Sequence, residues 1–245
     1  MAQKILIYKE AEFAISYTII PSAIENAKTL VILHGWGASK NLMEQAFKDT
    51  FKDYTHYYID MPGFGRSKTP PFALTTQDYA EIMRLMLESL HLESLKITIM
   101  GHSFGGKVAT LLNPQTLILL SSAGIPTKKS LKVRFKIVLA KVLKILPGAN
   151  YVLRNLLRSK DVQNMDEVMY QTFKNVVDED FSNLFANFKN PCYIFWGKAD
   201  LATPLKSGER IHSLIKDSQF FPLEGDHFFF LKTAKEIERL LLKTL

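Results

Sequence analysis

The sequence predicts an α/β fold: a mostly parallel eight-stranded sheet flanked by helices, with one helical insertion. Three observations predict it. Short apolar segments rich in branched and aromatic side chains alternate with helical patterns along most of the 245 residues. These segments are apolar at successive positions, as strands covered on both faces must be. One interval, from Gly124 to Asn190, breaks the alternation and carries helical periodicity alone.

Lys4–Tyr8 and Phe13–Ile19 open the chain as an antiparallel pair. Leu30–Leu33, Tyr57–Asp60, Lys96–Met100, Leu117–Leu120, Cys192–Trp196 and Gln219–Pro222 follow as the remaining strands. Thr75-x-x-Asp78 has the form of a capping box, opening a helix with Tyr79, Ile82, Met83, Met86 and Leu90 on one side. A short helical stretch, Lys107–Leu112, stops at Asn113-Pro114. The last helix begins near Thr233 and runs through Ile237, Leu240 and Leu241. Within the long interval, Leu131, Phe135, Val138, Val142 and Ile145 recur at three- and four-residue steps until Pro147-Gly148. An insertion of this size is too long for a plain loop. The expected organisation is a core of residues 1–126 and 190–245 with a helical lid, 127–189, inserted after the sixth strand.

Composition narrows the class. A hydrophobic fraction of 47% and a charged fraction of 22% are ordinary for a globular protein. A single cysteine, Cys192, rules out an internal disulfide framework and a Cys-based zinc cluster. No run of 18 apolar residues predicts a spanning helix, and charges interrupt the N-terminus before any signal-type apolar region, so a cytoplasmic protein is expected. The net charge of +7 is local: ten basic residues and no acidic one lie between Thr127 and Lys160, leaving 21 basic against 24 acidic elsewhere. A general nucleic-acid-binding surface is therefore not indicated.

The sharpest chemical signal is Gly101-His102-Ser103-Phe104-Gly105-Gly106, between a predicted strand and a predicted helix. This is the G-x-S-x-G elbow in the strand–turn–helix setting it needs. A serine on so sharp a turn has a strained backbone, and its neighbours two positions away must lack side chains for the chain to pass. The hydroxyl then stands above the strand end, and the following helix directs its first N–H groups at developing negative charge. Cys192, inside a predicted strand, reads as a small buried apolar residue. No metal-ligand spacing and no phosphate-cradling loop is present, and no cofactor is expected.

With the elbow, three further segments resemble the α/β-hydrolase superfamily. His34-Gly35-Trp36-Gly37 follows the third strand, where that superfamily places its first oxyanion loop. Asp60-Met61-Pro62-Gly63-Phe64-Gly65-Arg66-Ser67 matches its D-x-P-G-x-G-x-S turn. Trp196-Gly197-Lys198-Ala199-Asp200 and Gly225-Asp226-His227 follow the last two strands. The resemblance implies an α/β-hydrolase fold with Ser103, Asp200 and His227 as nucleophile, acid and base, in the family's chain order. His227 would take the Ser103 proton and Asp200 would hold the imidazole. The backbone N–H groups of Trp36 and Phe104 would form the oxyanion hole, a device worth roughly 10²–10³ in rate per donor. Trp36, Phe104, Phe228 and Phe229 are the expected pocket side chains. His34 and His102 are expected to buttress loops, and His56, His91 and His212 to be solvated. Asp226 adjoins His227 too closely to orient its ring.

Serine at the elbow implies an acyl-serine intermediate and so a carboxylic-ester hydrolase of the carboxylesterase type, acting on a small-to-medium apolar acyl ester. The H-G-W-G loop and the D-x-P-G-F-G-R-S turn resemble the pimeloyl-[acyl-carrier protein] methyl ester esterases. That likeness would give the basic segment Thr127–Lys160 an acidic carrier protein as partner. A solvated amphipathic helix and loose attachment to an anionic membrane surface are the other readings of that segment. Carbon–carbon hydrolases of the meta-cleavage-product type use the same triad, but tend to carry H-G-x-G-P-G at the first loop and a tryptophan after the histidine. Here Gly37-Ala38-Ser39 and Phe228 stand at those places. A non-enzymatic ligand-binding protein on the same fold is the competing class.

Overall fold

A computed structural model describes residues 2–126 and 166–244. Eight strands form one sheet: β1 (Ala2–Tyr8), β2 (Ala11–Ile20), β3 (Lys28–Leu33), β4 (Tyr54–Ile59), β5 (Thr98–His102), β6 (Thr116–Leu120), β7 (Cys192–Gly197) and β8 (Ser218–Leu223). Their order across the sheet is β1-β2-β4-β3-β5-β6-β7-β8. The β1–β2 and β2–β4 pairs are antiparallel and every other pair is parallel. All eight predicted strands are present. The largest boundary shift is in β4, which begins three residues early, at Tyr54, and ends before Asp60.

Seven helices cover the described part of the sheet: α1 (Lys40–Phe47), α2 (Thr76–Ser89), α3 (Phe104–Leu112), α4 (Glu167–Val176), α5 (Ser182–Asn187), α6 (Leu205–Leu214) and α7 (Phe230–Leu242). Side-chain alternation along the strands builds two cores. Val31, Leu33, Ile99, Leu117, Leu119 and Ile194 face one side, where Tyr79, Ile82, Met86 and Val108 of α2 and α3 pack. Leu30, Ile32, Met100, Ile118, Leu120 and Phe195 face the other, against Met43 and Phe47 of α1 and Phe230, Ile237 and Leu241 of α7. A strand with apolar residues at every position therefore serves both layers, which is why these segments read as unbroken apolar runs. The expected lid falls largely on residues 127–165, which lie outside the described residues. Its last part is α4 and α5.

The predicted capping box is formed. Thr75 Oγ1 accepts from the Asp78 N–H at 3.1 Å, and the Asp78 carboxylate accepts from the Thr75 N–H at 2.7 Å. Asp78 Oδ1 also accepts from the Tyr8 hydroxyl at 2.7 Å and from Lys9 Nζ at 2.6 Å, so one carboxylate ties β1 to α2. Burial alone would raise its pKa, but the bonds from Lys9, Thr75 and Tyr8 outweigh that and hold it well below the usual carboxylate range. A carboxyl depressed in the folded state adds stability above its unfolded pKa, and that stability is lost as pH falls through the folded value. Thr75→Ala is expected to cost about 1 kcal/mol at neutral pH. Asp78→Asn should cost more at pH 7 than at pH 3, as read from denaturant midpoints at the two values.

Where β3 leads to β4 on one side and β5 lies on the other, the chain direction across the sheet reverses. In open α/β sheets such a switch point is where ligands bind, beyond the carboxyl ends of the strands. The loops after β3 and β5 carry His34–Gly37 and the Ser103 turn.

Candidate active site

Ser103 follows the last residue of β5 and precedes the first of α3, with φ 50° and ψ −114°. This is the left-handed, strained backbone that the elbow motif predicts. The close approaches explain its glycines. A Cβ on Gly101 would strike the Gly105 carbonyl and Gly106 Cα, and one on Gly105 would strike the carbonyls of Leu33 and His34. The elbow and the loop after β3 therefore touch backbone to backbone. Among the described residues the N–H groups of Trp36 and Phe104 donate to no protein acceptor, so both remain available as donors.

α3 is short, as Asn113-Pro114 predicts: Asn113 ends it in the left-handed region at φ 50°. It is anchored by Lys107, which is buried. Lys107 Nζ donates to Glu179 Oε2 at 2.7 Å and to the Val176 carbonyl, while the Thr76 hydroxyl donates to the same carboxylate oxygen. Burial pushes the lysine pKa down and the Glu179 charge opposes that. This cluster fastens the end of α4 to the elbow helix, and no sequence pattern marked it.

Asp200 and His227 meet as expected. His227 Nδ1 donates to Asp200 Oδ2 at 2.8 Å, which leaves Nε2 as the ring's acceptor. Asp200 Oδ1 accepts from the N–H groups of Ala202 and Thr203 at 2.8 and 2.9 Å, and the Thr203 hydroxyl donates to Oδ2 at 2.8 Å. Burial would raise the Asp200 pKa, but the bonds from His227 and Thr203 prevail and hold it at about 2. The Asp200 carboxyl is therefore ionised at neutral pH. The two loops are laced by Lys198 N–H to Leu223 O and Ala199 N–H to Gly225 O, both 2.9 Å. Gly197 lets them pack, since a Cβ there would collide with the Asp226 carbonyl. Asp226 instead accepts from the Phe228 N–H at 2.8 Å, so the carboxylate on the ring is Asp200. Thr203 was missed in the sequence, although Asp200-x-x-Thr203 is a local side-chain-to-backbone pattern of the kind recognised at Thr75.

Among the described residues no hydrogen bond joins Ser103 Oγ to the His227 ring. Such bonds are commonly loose before substrate binds. The link between the two loops runs through His102, whose Nε2 lies 3.0 Å from the His227 carbonyl oxygen and whose ring centre is 4.6 Å from that of His227.

Two of the four expected pocket aromatics belong to the serine's cavity. Ser103 opens into a cavity of about 600 Å³ lined by Trp36, Phe104, Ile125, Phe173 and Val176, with Lys107, Asp178 and Glu179 at its wall. Phe228 and Phe229 line a different cavity of about 910 Å³ that, among the described residues, shares Trp36 alone with the first. The physical reason is the turn at Gly225 (φ 128°): the Phe228 and Phe229 N–H groups bond back to Asp226, and the chain leaves into α7. The other histidines divide. His34 is buried and accepts from the Met61 N–H through Nε2 at 3.0 Å, so its Nδ1–H donates to Gly35 O at 2.8 Å and it braces the loop as expected. His91 and His212 are exposed. His56 corrects the expectation: it is buried, bonded to the Tyr58 hydroxyl at 2.8 Å and the Phe51 carbonyl at 3.1 Å. Cys192 is buried as predicted, and burial pushes its thiol pKa far up.

The Asp60–Ser67 turn is held by buried polar bonds. Asp60 Oδ2 accepts from Lys40 Nζ at 2.6 Å with both side chains buried, and Lys40 Nζ also donates to Ser16 Oγ at 2.8 Å. Asp60 further accepts from the N–H groups of Lys40 and Arg66 at 2.7 and 3.0 Å. Ser67 Oγ donates to Asp60 O at 2.7 Å. Among the described residues no group of side chains has the makings of a metal site, and no helix is long and apolar enough to cross a membrane.

The sequence and backbone comparisons agree with this fold. A family model described as alpha/beta hydrolase fold matches residues 28–116. An uncharacterized hydrolase, YugF, of Bacillus subtilis is 25% identical over 80% of this chain and 81% of its own. A 1-acylglycerol-3-phosphate O-acyltransferase, ABHD5, of Rattus norvegicus is 33% identical over 47% of this chain and 35% of its own. Among solved structures, an esterase from Exiguobacterium antarcticum superposes with a TM-score of 0.71 at 21% identity, covering 95% of this chain and 96% of that one. An esterase from Thermogutta terrifontis superposes with a TM-score of 0.73 at 15% identity, covering 100% and 98%. The chain has the α/β-hydrolase fold. Within it, residues 28–116 match the alpha/beta hydrolase fold family model.

Proposed function

We propose that this protein is a serine carboxylic-ester hydrolase. The observation that supports it most is the Asp200–His227 bond of 2.8 Å, held on loops beside an elbow that strains Ser103 to φ 50°. In this reading Ser103 Oγ attacks the ester carbonyl carbon while its proton passes to His227 Nε2. The carbonyl oxygen becomes an oxyanion, met by the N–H groups of Trp36 and Phe104. The intermediate collapses, the C–O bond to the alcohol breaks, and the leaving oxygen takes the proton from His227. Water then repeats the sequence on the acyl-serine, returning Ser103 and releasing the acid. Asp200, ionised throughout, stabilises the imidazolium formed in both halves.

The walls of the 600 Å³ cavity are apolar near Ser103, which suits a small-to-medium apolar acyl group. A carrier-protein-linked substrate would draw on residues 127–160, outside the described residues. The test is a series of p-nitrophenyl esters of rising acyl length. The reading expects kcat/KM to rise from acetate to a medium chain and to fall beyond it. Absence of ester turnover together with cleavage of a 2-hydroxy-6-oxo-dienoate would overturn it in favour of a carbon–carbon hydrolase. Binding without any turnover would mark a ligand-binding protein.

A further inference from the structure

The base and the nucleophile of the proposed site stand on loops that the sheet does not join. Ser103 follows β5 and His227 follows β8, with β6 and β7 between them. Proton transfer needs these groups held within about half an ångström of a productive geometry. We propose that His102 is a positioning residue that sets the His227 loop against the elbow and the oxyanion loop.

Its contacts reach all three. His102 is the last residue of β5 and so belongs to the elbow itself. Its Nε2 lies 3.0 Å from the carbonyl oxygen of His227, and because a carbonyl only accepts, Nε2 carries the proton. Nδ1 is then a bare acceptor, and among the described residues it is buried without a partner. That edge of the ring lies against the oxyanion loop: a Cβ on Gly35 would stand 2.8 Å from Nδ1, so glycine is what lets the two meet. The ring is 1% exposed, 4.6 Å between centres from His227 and 4.8 Å from Phe230. An orphaned buried acceptor is a cost that a merely space-filling residue would not carry.

Electrostatics agree with the geometry. Burial, then the neighbouring His227 charge, lowers the His102 pKa to about 3; the His227 carbonyl and Asp200 pull it back up and His34 pushes it further down. A neutral ring adds no positive charge beside the imidazolium that forms on His227 during turnover, and its N–H stays in place throughout.

This proposal rests on the serine-hydrolase reading, and its test separates the two. Stopped-flow bursts with a p-nitrophenyl ester give both the number of competent sites (amplitude) and the acylation rate constant per site. His102→Leu is expected to lower the per-site constant by roughly 10–100-fold with KM little changed. His102→Gln, which keeps an N–H donor of similar reach, should return to within about fivefold of the native rate. A reduced amplitude with an unchanged per-site constant in His102→Leu would mean packing alone, and glutamine as slow as leucine would also overturn the proposal. If the native protein gives neither burst nor turnover, the hydrolase reading falls and this one with it. A measurement needing no variant is ¹⁵N NMR of the histidines. It should show His102 neutral, with its proton on Nε2, at pH 5, and a doubly protonated ring there contradicts the assignment.

Discussion

Replacing Ser103 by alanine is expected to lower kcat/KM toward p-nitrophenyl esters by roughly 10⁴-fold or more, with the melting temperature nearly unchanged. The hydroxyl is the only atom removed. It makes no hydrogen bond among the described contacts, so no buried partner is stranded by its loss. The backbone strain at φ 50° remains, because it belongs to the turn and not to the side chain. The apolar cavity and the N–H groups of Trp36 and Phe104, the proposed oxyanion donors, remain too, and they would account for a residual rate over water. The contrast between a collapsed rate and an intact fold carries the inference. A loss of less than tenfold would mean that chemistry proceeds elsewhere, and a large drop in melting temperature would mean that Ser103 is structural.

The second large effect is on stability. Lys40→Met is expected to destabilise the fold by about 3–5 kcal/mol, a fall in Tm of roughly 10 °C for a chain of this size. Both partners of the Lys40–Asp60 pair are buried, with side chains 0% and 1% exposed. Removing the cation leaves a carboxylate in the interior with, among the described residues, the N–H groups of Lys40 and Arg66 to balance it. Ser16 Oγ loses its donor in the same step. The pair fastens the start of α1 to the Asp60–Ser67 turn, and His34 bonds to the same turn through Met61 N–H. Catalysis below the new transition should fall only modestly, because Lys40 lines neither cavity. Chemical denaturation at neutral pH checks it, and a cost under 1 kcal/mol would show that the pair contributes little beyond a surface contact.

These effects differ in how far the sequence foretold them. The strands were legible because both sheet faces are covered, so their apolar runs stood out against the helical periods. The elbow was legible because its chemistry needs glycine at positions where backbone meets backbone, and Gly101 and Gly105 do meet carbonyl groups. Asp200 over Asp226 followed from distance along the chain: Asp226 is spent on the adjacent Phe228 N–H. α1 and α6 were not anticipated, since short helices with mixed polarity give a weak period. Lys40, Lys107 and Glu179 were invisible for another reason. A buried ion pair is written as two ordinary charged residues far apart, and only folding brings Lys107 to Glu179, 72 positions away. His56 was misread because a histidine near a strand end carries no mark of the face it takes. Phe228 and Phe229 line a cavity other than the one at Ser103, because proximity to His227 in sequence does not give the direction in which the chain leaves it.

The central claim is that the strained hydroxyl at the elbow is a nucleophile served by the Asp200–His227 pair. It is tested most directly by the mass of the intact chain after exposure to a fluorophosphonate, followed by peptide mapping. The account predicts one adduct per chain, on Ser103, absent in Ser103→Ala and formed far more slowly in His227→Ala. An unmodified chain, or an adduct that survives the loss of the Ser103 hydroxyl, would contradict it.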